Sequence, residues 1–203
     1  MALLLRQGVF GDYYGNDYNT SNALNKSQME VNATYLYNAL TSRGWTINSI
    51  SGILGNMQAE STINPGRWQG NNVGIGPAYG IVQWDPFTKY TEWASNQELD
   101  PSEMDSNLSR IDYEIANNLQ WIATPLYNFS FSDFTKSTET PEYLASAFLK
   151  NYERAGVEVE EQRRENARYW FDFLGGVTPR PEKSKHKFKW VLYAKKLRNK
   201  SYF

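Results

Sequence analysis

The chain has 203 residues, a length typical of one domain of ordinary size with extensions. It contains no Cys and a single His, His186, which excludes disulfides and leaves residues 1–185 without a Cys/His metal site or a Ser-His or Cys-His nucleophile pair. The net charge of −1 conceals an acidic body and a basic tail, because residues 180–203 hold nine Lys/Arg and one Glu. Any catalysis must therefore use carboxylates, amides, Tyr or Trp, and we expect no metal and no cofactor.

Membrane insertion and export are not indicated by the sequence. No stretch approaches the roughly 20 apolar residues of a membrane span. The apolar run at Met1–Leu5 is short for a signal-peptide core, and Arg6 follows that run instead of preceding it. We therefore expect no transmembrane segment and no export signal of the chain's own.

The first part of the chain predicts an arm followed by two helices. Residues 1–26 are rich in Gly, Asn, Asp and Tyr, and they predict an irregular arm with a short strand at residues 3–10. The sequence Ser27-Gln28-Met29-Glu30 matches a capping box and predicts a helix that ends before Gly44. Thr46 is expected to cap a second helix, which forms a hairpin with the first.

The second helix runs into a single acidic residue. Its apolar positions recur at helical spacing and predict a buried stripe: Ile47, Ile50, Ile53, Leu54 and Met57. Glu60 follows on or beside this stripe, and Asn64-Pro65-Gly66 predicts the turn that ends the helix. Burial favours the neutral form of a carboxyl, which a general acid near neutral pH requires. The other interpretation is a solvated Glu at a frayed helix end.

A Gly-rich excursion follows the second helix. Residues 66–80 contain five Gly, which argues against a helix. The sequence from Ala78 to Trp84 predicts a short strand, half of a small hairpin with residues 68–75.

The rest of the chain up to residue 174 is predicted to be helical. Asp85-Pro86, Asp100-Pro101 and Thr140-Pro141 each combine a capping residue with Pro at the first helical position. A last helix is predicted from about Val159 to Phe173. The predicted fold class is α+β and predominantly helical, with a small Gly-rich β element beside the second helix.

Four short sequences occur in a specific order: Gly55-Asn56-Met57-Gln58 before Glu60-Ser61, then Asn64-Pro65-Gly66-Arg67-Trp68, then Tyr79-Gly80-Ile81-Val82-Gln83-Trp84, and later Tyr152-Glu153-Arg154. Together they resemble the lysozyme superfamily, and most closely the lysozyme-like domain of phage tail-tip proteins that degrade peptidoglycan. The resemblance covers residues 27–174. Ala155 stands where this family usually has Pro, so the adjoining loop is expected to differ.

The resemblance implies a lysozyme-like fold and a peptidoglycan substrate. It assigns Glu60 as the general acid that protonates the glycosidic oxygen between N-acetylmuramic acid and N-acetylglucosamine. The candidate substrate-binding residues are Ser61, Trp68, Tyr79, Gln83 and Trp84. Gln83 either contacts substrate near the cleaved bond or bonds to the strand backbone. The three aromatic residues either stack on sugar rings or fill the core.

The second catalytic group is not identified by the resemblance. In c-type lysozymes an Asp precedes the Tyr-Gly-Ile sequence, and Ala78 stands at that position here, so the two-carboxylate retaining mechanism is not supported there. Asp85 is expected to cap a helix, Asp112 and Glu114 to be solvated, and Glu153 to pair with an Arg as a structural support.

Three functions therefore stay open. The first is a muramidase that positions water through amides. The second is a lytic transglycosylase, in which the muramyl 6-hydroxyl attacks and leaves an anhydro product. The third is a catalytically inert, glycan-binding tail subunit.

The C-terminal region is predicted to be separate from the catalytic domain at residues 27–174. Residues 175–187 contain Gly and Pro and predict a linker. Residues 188–203 mix aromatic with basic residues, and we expect them to dock onto other phage tail proteins. Binding to an anionic surface, contact with nucleic acid and a disordered tail are the alternatives, and no nucleic acid is expected as substrate. The expected location is the phage virion, at the tail or tail tip, where the enzyme opens the host wall during genome ejection.

Overall fold

A computed structural model of the chain describes residues 3–154 and 159–175. In chain order the elements are β1 (Leu4–Gly8), β2 (Gly11–Gly15), α1 (Lys26–Thr41), α2 (Ile47–Ser61), α3 (Thr88–Asn96), α4 (Met104–Ala116), α5 (Phe131–Lys136), α6 (Pro141–Phe148) and α7 (Glu160–Gly175), with a 3-10 turn at Gln69–Asn71 and a π-helical turn at Leu149–Glu153. The predicted α+β, predominantly helical class is confirmed. Within the described ranges, no helix combines the length and apolar character needed to span a membrane.

Helix α2 begins and ends where the sequence predicts. Thr46 caps it by accepting a hydrogen bond from the backbone N–H of Ser49 at 3.1 Å. The predicted stripe is buried at Ile50, Ile53, Leu54 and Met57 and partly buried at Ile47. After Ser61 the backbone of Thr62 turns left-handed, with φ of 55°.

Two glycines let neighbouring helices lie directly against α2. A Cβ on Gly52 would come within 2.8 Å of the Leu144 Cβ in α6. A Cβ on Gly55 would meet the backbone of α7 at the carbonyl oxygen of Arg163, and it would lie 2.8 Å from the amide nitrogen of Ala167. Because the obstructing atoms at Gly55 are backbone, only glycine permits this close approach of α7.

The N-terminal arm is a hairpin that packs on the helical body, whereas the sequence predicted an irregular segment with one strand. Strands β1 and β2 are antiparallel, with Leu4 opposite Gly15 and Gly8 opposite Gly11. Arg6 in β1 forms an ion pair of 2.7 Å with Glu103 at the start of α4. The arm therefore belongs to the same packed unit as the helices.

The predicted strand from Ala78 to Trp84 is not formed. Trp68 and Tyr79 make one isolated antiparallel bridge, and Tyr79 and Trp84 make another. Positive φ angles of 94° at Gly80 and 51° at Gln83 give a tight turn instead. The small sheet of this fold therefore lies in the N-terminal arm, and the Gly-rich segment contributes bridges and turns.

The helix starts were predicted with mixed success. Thr140 caps α6 and Pro141 is its first residue, as predicted. The capping box of α1 is formed by Asn25 and Gln28, so the cap of this helix lies two residues before the predicted cap at Ser27. Asp85 does not cap α3, which begins at Thr88 after two intervening residues.

Part of the predicted C-terminal organisation lies outside the described residues. Helix α7 extends through Gly175, which was predicted as the first residue of the linker. The remainder of that linker, the basic tail at 188–203, and Ala155 all lie outside the described residues.

We predict that Gly55→Ala lowers the free energy of unfolding, measured by urea denaturation, by about 1–3 kcal/mol, because the α7 backbone must move away. The gain in helix propensity of about 1 kcal/mol offsets part of this loss. Gly175→Ala is the control, since a Cβ there meets no described atom within 4 Å. Equal stability of the two variants would contradict the close-packing role of Gly55.

Candidate active site

The carboxyl group of Glu60 lies in the last turn of α2, beside α7. The backbone N–H of Thr62 closes the helix by donating to the carbonyls of Gln58 and Met57. The Glu60 side chain is 20% exposed, so a bound molecule can reach it although most of its surface is covered. Its position next to a chain reversal is the position that the sequence predicts.

Arg163 of α7 holds this carboxyl group. Its Nη2 donates to Glu60 Oε1 at 2.5 Å, and its Nη1 donates to Asn56 Oδ1 at 3.0 Å. These two bonds fix the guanidinium against the carboxylate. Sequence reasoning missed Arg163, although Ala167 and Trp170 follow it at spacings of four and three on the buried face of α7.

Ser61 ties the end of α2 to the turn that contains Gln83. Its Oγ donates to the Ile81 carbonyl at 2.7 Å and to the Met57 carbonyl at 3.1 Å. Ser61 is 1% exposed. The structure therefore gives Ser61 a role in positioning the turn, and its burial does not support the predicted contact with substrate.

The side-chain amide of Gln83 bonds to the backbone, which is one of its two predicted interpretations. Its Nε2 donates to the backbone carbonyls of Arg67 at 2.9 Å and Gly80 at 2.8 Å. With both N–H groups used, the side-chain orientation is fixed, and Oε1 remains buried without a hydrogen-bond partner among the described residues. Buried acceptors are normally satisfied, so this unpaired oxygen is unusual.

The three predicted aromatic contacts lie in the core. Trp68 and Tyr79 are 0% exposed and Trp84 is 3% exposed. The Trp68 and Tyr79 ring centroids are 4.6 Å apart, and the Trp84 ring lies 4.3 Å from that of Tyr90. Stacking on a sugar requires an exposed ring face, so these residues support the turn from within and their positions do not support the predicted stacking.

Glu114 is buried at the centre of a hydrogen-bond network, which corrects its prediction as a solvated residue. It accepts hydrogen bonds from Trp84 Nε1 at 2.9 Å, Arg110 Nε at 2.9 Å and the Tyr152 hydroxyl at 2.6 Å. Burial raises the pKa of Glu114, and the positive charge of Arg110 opposes that shift. Because its lone pairs are used, Glu114 joins α4, the turn and the π-helical turn and has no free function.

Glu153 follows Tyr152 at the end of the π-helical turn. The predicted ion pair with an Arg is not formed, and Glu153 Oε1 is buried with no hydrogen-bond partner within the described ranges. Burial raises the pKa of Glu153 well above its ordinary value, and the negative charge of Glu60 raises it further. Glu153 is therefore a second carboxyl close to Glu60 that sequence reasoning assigned a purely structural role.

None of the other positions considered from the sequence for a second carboxylate supplies one next to Glu60 among the described contacts. Ala78 is buried, and the position offers no carboxylate. Asp85 is exposed. Asp112 was predicted to be solvated, but it is largely covered and ion-paired with Arg43 at 3.1 Å. Within the ranges that the structure describes, no group of three or more acidic or His side chains could hold a metal ion.

We predict that Glu153→Gln stabilises the protein increasingly as the pH rises. The raised pKa means that the folded state binds more protons than the unfolded state, so wild-type stability falls as the pH rises above the ordinary value of 4.5. The amide introduced by the substitution has no such proton to lose. We expect the melting temperature of the variant to exceed that of wild type by at least about 2 °C at pH 8 and by less at pH 5. A pH-independent difference would contradict the burial of this carboxyl.

Comparison with known proteins places these features in a family. The family model described as phage tail lysozyme matches residues 31–174. Morphogenesis protein 1 of Bacillus phage B103 is 48% identical over 162 residues, which are 78% of this chain and 43% of that protein. The chain thus spans less than half the length of this relative. The matched segment contains Glu60, Gln83, Glu153 and Arg163. The chain belongs to the phage tail lysozyme family.

Proposed function

We propose that the chain is a virion-associated peptidoglycan hydrolase, a muramidase that cleaves the bond between N-acetylmuramic acid and N-acetylglucosamine. Membership of the phage tail lysozyme family supports a glycosidase-type enzyme that acts on peptidoglycan. The observation that carries the specific proposal is the Glu60 carboxyl, which is partly exposed at the end of α2 and held by the buried guanidinium of Arg163.

Glu60 acts as the general acid in this proposal. Its proton passes to the glycosidic oxygen as the bond between that oxygen and the anomeric carbon breaks. Water then adds to the anomeric carbon and leaves a reducing sugar end, and the proton that this water loses returns to Glu60. Gln83 Oε1 supports this assignment as a contact for a sugar N–H or O–H group near the reacting bond, because it is a buried acceptor with no described partner.

A lytic transglycosylase is the second candidate. It is favoured by Ala78, which provides no second carboxylate, and by Gln83, whose amide can orient water but cannot remove its proton. In that reaction Glu60 first gives its proton to the glycosidic oxygen as the bond to the anomeric carbon breaks, and the 6-hydroxyl of the muramyl sugar then bonds to this carbon and passes its proton to Glu60. The product is an anhydro-muramyl end.

The proposal extends to where and when the enzyme acts. The enzyme travels in the phage tail and opens the host wall locally during genome ejection, which agrees with its likeness to a phage morphogenesis protein. Docking of residues 188–203 onto other tail proteins stays a prediction, since this segment lies outside the described residues. The intact geometry at Glu60 argues against an inert glycan-binding subunit.

We predict that Glu60→Gln reduces the rate of lysis of purified cell walls by at least about 100-fold, because Gln cannot donate the proton. The amide oxygen of Gln can still accept the Arg163 hydrogen bond, so the fold is expected to persist. Glu92→Gln makes the same chemical change at an exposed position of α3 and serves as the control. A Glu60→Gln variant that lyses walls at the wild-type rate would exclude Glu60 as the acid.

The products distinguish the two reactions. We expect mass spectrometry of muropeptides released by the wild-type protein to show reducing muramyl ends. Anhydro-muramyl ends, which are lighter by one water molecule, would replace the muramidase with the transglycosylase. Wall binding without any soluble fragment would reject both enzymatic proposals.

A further inference from the structure

Besides Gln83 Oε1, two buried polar atoms of the candidate site lack hydrogen-bond partners among the described residues, and they have complementary chemistry. One is Arg163 Nε, which is a donor, and the other is Glu153 Oε1, which is an acceptor when it carries no proton. Unsatisfied buried atoms are uncommon in folded proteins. Their presence beside the same carboxyl group, Glu60, indicates that the observed hydrogen bonds are one of two possible arrangements.

Arg163 acts on both carboxyl groups: it forms an ion pair with Glu60, and its positive charge favours the ionised form of Glu153. Its Nη1 and Nη2 are bonded to Asn56 and Glu60, whereas Nε has no described partner. The Asn56 amide is itself anchored, because its Nδ2 donates to the Gly52 and Ala145 carbonyls at 3.0 and 3.1 Å. One side of the guanidinium is therefore fixed while its pairing with a carboxylate can change.

Charged groups from three described helices and from the adjacent residue act on Glu153. Glu60 of α2 and Glu114 of α4 favour its neutral form, and Arg163 of α7 and the adjacent Arg154 favour its ionised form. Burial also favours the neutral form of Glu153 and is the largest cause of its raised pKa. The balance raises the pKa of Glu153, so this residue keeps its proton to a higher pH than an exposed Glu does, while Glu60 is paired with Arg163.

The site can place this proton on either carboxyl without changing its total charge. With the proton on Glu153, Glu60 is the anion that neutralises Arg163, and this is the observed pairing. With the proton on Glu60, Glu153 becomes the anion, and its Oε1 and Arg163 Nε can satisfy each other. Arg163 remains charged in both arrangements, because guanidinium groups do not lose their proton in proteins.

We propose that Glu153 is a positioning residue for the reaction at Glu60, and that Arg163 exchanges Glu60 for Glu153 as its ion-pair partner when Glu60 takes up the proton that it delivers to substrate. One proton leaves the Glu153 carboxyl and one arrives at the Glu60 carboxylate, so charge and atoms balance. The inference rests on the proposed function of Glu60. It gives this enzyme a second carboxyl in a different part of the chain from Ala78.

The pH profile of wall lysis tests the proposal. Glu153→Gln can neither supply the proton nor become the alternative anion for Arg163, so Glu60 stays paired with Arg163 at neutral pH. We expect kcat at pH 7 to fall by about 10-fold or more with little change in KM. We also expect the alkaline limb of the plot of kcat against pH to move by about one pH unit toward lower pH. A purely structural role would lower activity equally at all pH values.

Two further variants make this result specific. Glu153→Asp keeps a titratable carboxyl, and we expect the alkaline limb of its pH profile to lie close to the wild-type position. Asp112→Asn removes a carboxylate that is ion-paired with Arg43, away from the active site, and is expected to leave the limb in place. An alkaline limb at the wild-type position in Glu153→Gln would overturn the inference.

The protonation of Glu153 can also be read without any activity. Carbon-13 NMR of the glutamate carboxyl groups should show Glu153 titrating well above 4.5 in the wild-type protein, and at a lower pH in Glu60→Gln, where a neighbouring charge is removed. Titration at 4.5, or a midpoint that Glu60→Gln leaves unchanged, would overturn the inference. If Glu60→Gln retains activity, the proposed function fails as well; if it is inactive and Glu153 titrates normally, only the exchange of partners fails.

Discussion

The contact between Arg163 and Glu60 depends on the close approach of α2 and α7 at Gly55. Gly55 of α2 leaves room for the backbone of α7, and this brings a guanidinium from 103 residues further along the chain to the Glu60 carboxyl. A buried Arg needs anionic partners and hydrogen bonds to offset its desolvation. Glu60 and Asn56 supply them, so the packing of the core and the orientation of the acid are consequences of one contact.

A second set of contacts positions the segments that carry Gln83 and Glu153. Ser61 fixes the turn that carries Gln83, and the buried carboxylate of Glu114 joins that turn to Tyr152 and hence to Glu153. Fully satisfied networks of this kind are rigid. The Oε1 atoms of Gln83 and Glu153 differ from this network, because they have no hydrogen-bond partner among the described residues. We propose that substrate binding or proton transfer uses them.

The sequence predicts those parts of the molecule that depend on local chemistry. The apolar period of α2, the Thr46 and Thr140 caps and the position of Glu60 all follow from neighbours within four residues. The tight turn before Trp84 was mistaken for a strand, because apolar residues alternate poorly over so short a run. Arg163 was missed and the burial of Glu153 was not anticipated, because both depend on helix contacts that periodicity cannot specify.

The central claim is that Glu60 donates a proton to the leaving oxygen, and the most direct measurement compares two leaving groups. In a muramyl glycoside with an activated aryl group, the aryl oxide can leave without being protonated. The sugar leaving group of the natural linkage needs protonation. The account predicts that Glu60→Gln loses at least about 100-fold in kcat on the natural linkage and far less on the aryl glycoside. An equal loss on both substrates would contradict the role of Glu60 as the general acid.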